Sequence, residues 1–211
     1  MSDQHFGMSM SVEWYTPPRY IRSVRNLLLS IDVDPASCAA ANEYIMARTY
    51  YTVDDDGLAH DWPGQVFLNP PYGKERGKSQ QEVWSHRLIS QYKAEITKEA
   101  VLLVTAATSE KWFRPLWEYP ICFTDHRLAF IDGTGAPQRG NTKGGAFVYL
   151  GPQLDRFYAL FSPFGYIVTQ YRPQHHCAAC NGPVTALPTG RMPRYCDDSC
   201  KQRAYRLRTT A

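Results

Sequence analysis

A chain of 211 residues, 44% of them hydrophobic, has room for one full-sized domain plus a small appendage and enough apolar mass for a proper core. The opening MSDQHFGMSMSVEW lacks a basic region followed by an apolar run, and no window approaches about eighteen consecutive apolar residues; neither a signal peptide nor a membrane span is expected, and a cytoplasmic location is. The net charge of +3 is unevenly spread: residues 1–170 carry 16 Lys/Arg against 18 Asp/Glu, whereas residues 171–211 carry seven basic residues against two acidic ones, a tail suited to an anionic partner such as nucleic acid.

In chain order, TPPRYIRSVRNLLLSI opens with prolines at a helix entry and then sets Ile21, Val24, Leu27 and Leu28 on one face. IDVDP reads as a short strand ending in an acid, YYTV as a second strand and QVFLN as a third. SQQEVWSHRLISQYKAEITKE has helical spacing at Val83, Leu88, Tyr92 and Ile96, and AVLLVTA is the continuous apolar run of a strand buried on both faces. A helix is expected around SEKWFRPLWEY, with Trp112 and Phe113 in the core, followed by strands at ICFTD, RLAFID and GGAFVYLG. LDRFYALF and YIVTQYR close the body, and RPQHHC marks a linker near residues 172–176. Strands alternating with helices predict an α/β fold on a mostly parallel sheet, with an antiparallel edge from the late, closely spaced strands.

Cys38 and Cys122 stand singly in apolar surroundings, as small core residues do. The other four form two knuckles, Cys177-x2-Cys180 and Cys196-x3-Cys200, the donor set and spacing of a tetrahedral structural Zn2+; a His175 or His176 ligand in place of one Cys is the variant. Residues 173–211 have almost no apolar core and need such a staple. Cys200 is expected to open a basic helix carrying Lys201, Arg203, Arg206 and Arg208, suited to a DNA backbone. Protein docking and pure stabilisation are the other uses of such a ribbon.

The segment QVFLNPPYGKERG carries the most chemistry. In open parallel sheets ligands bind outside the carboxyl ends of strands, and both DVDP and FLNPPY put polar groups there. The prolines after Asn69 fix φ and remove N–H donors, leaving a stiff loop rich in acceptors. Asn69 offers a side-chain carbonyl, Pro70 a main-chain one and Tyr72 a flat face, which together suit a planar group with an exocyclic amine such as adenine. GKERGK is set either to touch phosphates or to stay a solvated loop.

Asn69, Pro70, Pro71 and Tyr72 resemble motif IV of amino-methylating, S-adenosylmethionine-dependent methyltransferases, and EWYTPP resembles their motif X. The order EWYTPP, DVDPAS, DDDGLAHDW, FLNPPYG, WF, RLAF is similar to that of phage-type DNA N6-adenine methyltransferases over roughly residues 11–152. The resemblance implies a Rossmann-like methyltransferase domain over residues 1–172 and a zinc ribbon over 173–211. It implies methyl transfer to the N6 amine of a flipped adenine in DNA, with a role in protecting phage or host DNA from restriction. It also implies Tyr15, Thr16 and Pro17 along the methionine part of the cofactor, and Asp34 near its amino group or ribose. Asp55, among Asp54–Asp56, would accept from the cofactor adenine or else belong to an exposed turn. Arg127 would contact DNA or form a structural ion pair. One departure stands out: DVDPAS is followed by CAAAN and not by a Gly-rich loop, so close backbone approach has to use Ala and Ser. Methyltransferases acting on protein glutamine or RNA amines share the Asn-Pro-Pro-Tyr segment but carry that Gly-rich loop. A non-catalytic zinc-containing DNA-binding protein is the third reading. No motif sets an oligomeric state.

Overall fold

The computed structural model describes residues 14–132, 135–137, 141–170, 175–184 and 193–209, with backbone alone at 175, 208 and 209. Glu13, Arg172, Arg191, positions 172–174 of the expected linker, and the side chains of His175 and Arg208 lie outside the described residues. Contacts divide the chain into two units, Met1–Gln170 and Tyr171–Ala211.

In the first unit the elements run α1 (Pro18–Leu28), β1 (Ile31–Asp34), α2 (Ala39–Ile45), β2 (Ala47–Tyr50), β3 (Gly64–Leu68), β4 (Lys74–Glu75), β5 (Lys78–Ser79), α3 (Gln80–Lys93), β6 (Thr97–Thr105), a 3-10 segment (Lys111–Glu118), β7 (Ile121–Thr124), β8 (Gly145–Leu150), α4 (Leu154–Phe161) and β9 (Gly165–Val168). Seven strands form one sheet in the order β2-β1-β3-β6-β8-β7-β9. The first four are mutually parallel, and β8, β7 and β9 pair antiparallel at the far side. This is the α/β architecture expected from the sequence, a mostly parallel sheet with an antiparallel edge.

Period-two alternation splits the core into two layers. Phe67, Val101, Leu103, Phe147 and Tyr149 point to one face, where α1, α2 and α4 cover them. Val66, Leu68, Leu102, Val104 and Val148 point to the other, under Trp84, Leu88 and Phe113 from α3 and the 3-10 segment. Each such fully buried side chain contributes about 1.5–3 kcal/mol, which is why AVLLVTA makes the central strand. Register among the parallel strands is pinned by Asp32, which accepts from the Gln65 N–H at 2.9 Å and pairs with Arg48 at 3.2 Å. Gly64, at φ 81, is needed beside it, because a Cβ there would run into the Asp32 carboxylate.

Several elements differ from expectation. The second strand is Ala47–Tyr50 and not YYTV, because Thr52 folds back onto Asp55 and turns the chain. Arg127–Asp132 forms no strand: Leu128 and Phe130 are buried in alternation, but the main-chain bonds of Ile131 go to Tyr15. Lys111–Glu118 is 3-10 with Pro115 inside it, although Trp112 and Phe113 are buried. The buried face of α3 centres on Trp84, Leu88 and Ile89 instead of Val83 and Tyr92, and Ile96 precedes β6. α1, α2 and α3 are followed by Leu29, Met46 and Glu95 in left-handed backbone, at φ 68, 53 and 60.

In the second unit β10 (His175–His176) and β11 (Pro183–Val184) pair antiparallel, and α5 spans Asp198–Thr209. Among the described residues no helix is long and apolar enough to cross a membrane.

Candidate active site and metal centre

β1 and β3 are adjacent and parallel, yet β1 continues to β2 on one side while β3 continues to β6 on the other. The crevice outside their carboxyl ends is the topological switch point where open α/β sheets bind ligands. Asp34 ends β1 and Asn69 follows β3, so both stand at this crevice. Residues 14–17 cross it: Tyr15 exchanges main-chain hydrogen bonds with Ile131, and the Cys38 thiol donates to the Tyr15 hydroxyl at 3.1 Å. Cys38 also caps α2 by accepting from the Ala41 N–H, so it is a half-buried cap, whereas Cys122 is fully buried.

The Asn69 amide is oriented by one bond. Its Nδ2 donates to the Trp14 carbonyl at 2.9 Å, and its buried Oδ1 has no partner. Thr16 Oγ1 and the Tyr44 hydroxyl are likewise buried and unpartnered. An orphaned polar group of this kind costs about 1–3 kcal/mol, so three in one region describe a surface completed by a polar ligand. Asp34 is buried and forms no ion pair among the described residues. Burial pushes its carboxyl up to about 7, partly offset by the Ser37 hydroxyl and the Ala36 N–H. Burial and the nearby Cys38 and Asp34 push Tyr44 up to about 12. These residues fit a ligand that brings hydrogen-bond donors and positive charge, as S-adenosylmethionine does with its ammonium, sulfonium and ribose hydroxyls.

Beside Asn69, three rings form a box. The Tyr72 ring lies 6.2 Å from Trp14 and 5.9 Å from Phe130, and Trp14 meets Phe130 edge-on at 5.5 Å. They line a cavity of about 220 Å3 with Asn141, Thr142 and Lys143. That is below the roughly 300–1,000 Å3 of drug-sized sites, a scale suited to one heterocycle. Asn141 holds this wall together, donating to the Leu128 carbonyl at 3.0 Å and accepting from the Lys143 N–H at 3.1 Å. Tyr72 is 37% exposed, and burial of its phenol raises the pKa from the ordinary 10.0. Pro70 is buried and Pro71 exposed.

Two other residues singled out in the sequence stand outside the aromatic box. Asp55 stands on the turn after β2, where its Oδ2 accepts from the Thr52 N–H and hydroxyl at 2.8 and 2.7 Å. Those bonds, the main-chain one first, hold its carboxyl below the ordinary range. Arg127 is exposed and makes no ion pair among the described residues. Trp14, Phe130, Asn141, Lys143 and Tyr44 were not marked by the sequence. The only available signal was the aromatic character of EWY and LAF flanking recognisable segments.

In the second unit the sulfurs of Cys177, Cys180, Cys196 and Cys200 all lie within 4.8 Å of one another, and Cys180 Sγ sits 3.7 Å from Cys196 Sγ. Tetrahedral Zn–S bonds of about 2.3 Å put sulfurs at this separation, whereas a disulfide needs about 2.05 Å. N–H groups of Ala179 and Gly182 point at Cys177 and Cys180 sulfurs at 3.4 Å, the support a thiolate requires. Hydrogen bonding to the Cys196 and Cys180 sulfurs pushes the Cys200 thiol up, because so many thiolates cannot share the space without a cation. The cluster therefore fits a divalent metal held by four thiolates. His176 is not part of it; its Nδ1 lies 3.0 Å from the Asn181 carbonyl. Asp197 caps α5, accepting from the Cys200 N–H at 2.7 Å. Lys201, Arg203 and Arg206 follow as exposed residues on α5.

Comparison with known proteins agrees with this geometry. The family of DNA N-6-adenine-methyltransferases (Dam) matches residues 7–168. The "Putative methyltransferase YfdM" of Escherichia coli (strain K12) is 36% identical over 73 residues, covering 28% of this chain and 70% of that protein. No solved structure matches the chain. A family match across the whole α/β unit, over a crevice with an acceptor-rich Asn-Pro-Pro-Tyr loop, makes the chain a member of the DNA N-6-adenine-methyltransferase (Dam) family.

Proposed function

We propose that the protein transfers a methyl group from S-adenosylmethionine to the N6 amine of an adenine flipped out of DNA. The observation that carries this reading is Asn69 Oδ1, buried, unpartnered and fixed in direction by the Nδ2 bond to Trp14. S-adenosylmethionine supplies the electrophilic methyl on its sulfonium. The chain supplies placement and acceptors. Asn69 Oδ1 and the Pro70 carbonyl hold the two hydrogens of the adenine amine, drawing its lone pair out of conjugation and toward the methyl. As the nitrogen gained the methyl, the sulfonium S–CH3 bond would break with its electron pair staying on sulfur as the neutral thioether, and the nitrogen would shed one hydrogen as a proton to solvent. Most of the acceleration comes from positioning, since no strong base is needed before transfer.

Tyr72, Trp14 and Phe130 would stack the base and keep water from it, and Pro71 stiffens the loop. Thr16 and the 15–17 segment would hold the methionine part of the cofactor, with Asp34 taking its positive charge or ribose. Asp55 serves the adenine end only if it exchanges its Thr52 contacts for the cofactor amine. Zn2+ on Cys177, Cys180, Cys196 and Cys200 would order the ribbon as a separate domain, from which Lys201, Arg203 and Arg206 reach DNA phosphates, with Arg127 doing so from the α/β domain.

The test is incubation of the purified protein with methyl-labelled S-adenosylmethionine and either duplex DNA or a protein extract, followed by nucleoside analysis. N6-methyladenine in the DNA is the expected product. Label on protein alone, or on another base, would sink the reading.

A further inference from the structure

Directly after Tyr72 the chain forms a small β-ribbon that the proposed chemistry does not use. β4 and β5 pair antiparallel, Lys74 with Ser79 and Glu75 with Lys78. The turn residues Arg76 and Gly77 both have positive φ, 48 and 79. Two consecutive left-handed residues make a type I′ hairpin, whose favoured first residue is Asn, Asp or Gly. Arg at that position carries a backbone penalty, the kind of local rule-breaking that marks functional sites.

The ribbon is exposed from Lys74 to Lys78, and one so short has no stability of its own. It is braced on α3. The Gln80 N–H donates to the Gly73 carbonyl at 3.1 Å, and the Gln80 side chain donates to Glu75 Oε2 at 2.7 Å while accepting from Trp84 Nε1 at 3.1 Å. These bonds engage the hairpin's one carboxylate. Lys74, Arg76 and Lys78 make no ion pair among the described residues. Lys74, Arg76 and Lys78 against the single carboxylate of Glu75 leave the braced ribbon with a net charge of +2, starting two residues past Tyr72.

We propose that this hairpin reads DNA next to the target adenine. Lys74 and Lys78 contact backbone phosphates, and Arg76 at the tip contacts base edges in the major groove, setting which adenines are methylated. A two-stranded ribbon fits the major groove, and a guanidinium there is the commonest reader of guanine O6 and N7. The inference rests on the DNA-adenine reading of the site.

The test uses the full-length protein, a duplex library with randomised flanks around one adenine, and sequencing of the methylated products. Arg76→Asn removes the guanidinium and leaves Asn-Gly, the best type I′ pair, so misfolding does not explain a loss. The expected result is that the preference at one or two flanking positions falls by about tenfold or more while cofactor binding is unchanged. Lys74→Ala with Lys78→Ala is expected to weaken DNA binding on all sequences and lower the salt slope by about two. An unchanged flank preference in Arg76→Asn overturns the base-reading role, and an unchanged salt slope in the double variant overturns the phosphate contacts. If the wild-type protein methylates no adenine in any flank, the activity reading fails instead. DNA binding by Arg76→Asn, compared across flank sequences, then decides the hairpin.

Discussion

Asn69 Nδ2 and the Trp14 carbonyl, 2.9 Å apart, join residues 55 positions distant in sequence and thereby aim one oxygen. An amide free to flip would present its NH2 to the crevice half the time. With Nδ2 committed, Oδ1 is left as a buried, unpartnered acceptor, the atom that the proposed reaction assigns to the amine. Asn69→Ala is expected to lower turnover by at least about 100-fold while cofactor binding, followed by calorimetry, changes little. Normal methylation by this variant would remove Asn69 from the chemistry.

Tyr72 separates stacking from hydrogen bonding. Its ring meets Trp14 and Phe130, and burial raises the pKa of its hydroxyl. Tyr72→Phe is expected to stay within a few-fold of wild type. Tyr72→Ala should cost about 1–3 kcal/mol of base capture, read as a higher KM for DNA and as weaker binding of an oligonucleotide carrying an unpaired target adenine. Equal loss in both variants would transfer the role from the ring to the hydroxyl.

Asp34 predicts a pH dependence of known sign. Its folded pKa, about 7, lies above the ordinary 3.8, so the folded protein holds a proton there that the unfolded chain releases. Its contribution is present below about pH 4, is lost as pH rises toward 7, and is flat beyond. Without cofactor, Asp34→Asn should match wild type in urea denaturation near pH 4 and exceed it at pH 8 by an amount on the order of a few kcal/mol. Cofactor binding should weaken in the same variant. Parallel stability curves would show that Asp34 is solvated in the free protein.

Metal removal should act on one unit only. The four sulfurs belong to Tyr171–Ala211, and the α/β core is built from Met1–Gln170. Chelation, or Cys180→Ser, is expected to abolish stoichiometric zinc and the protection of α5 amides from exchange, leaving the main melting transition in place. DNA affinity should fall and its salt dependence flatten, matching a truncation after 172. Equal affinity with and without the ribbon would assign it to protein docking or to stability.

What the sequence made legible was what it holds locally. Asn69–Tyr72 are contiguous, the cysteines come in two knuckles, and the helix entry at Pro17 and Pro18 is written in three residues. AVLLVTA declares the central strand through composition alone. The aromatic box was hidden because Trp14, Tyr72 and Phe130 come from three distant segments, and only the docking of residues 14–17 against Ile131 brings them together. RLAFID misled because alternation of Leu128 and Phe130 reports burial of one face, not the hydrogen-bond partner that makes a strand. Thr52 supplies Asp55 with local donors that no periodicity reveals.

The left-handed residues Leu29, Met46 and Glu95 all sit where a helix hands over to the next strand, at the edge of the sheet opposite Asp34 and Asn69. Helices commonly end on glycine there, and a side chain in that conformation costs about 1–2 kcal/mol. Unspent thermostability is therefore stored on the side of the molecule farthest from its chemistry. Met46→Gly should raise the melting temperature by a few degrees with turnover untouched. A lineage drifting toward a hotter environment could harden this protein from behind, one helix end at a time, before altering any residue that meets a substrate.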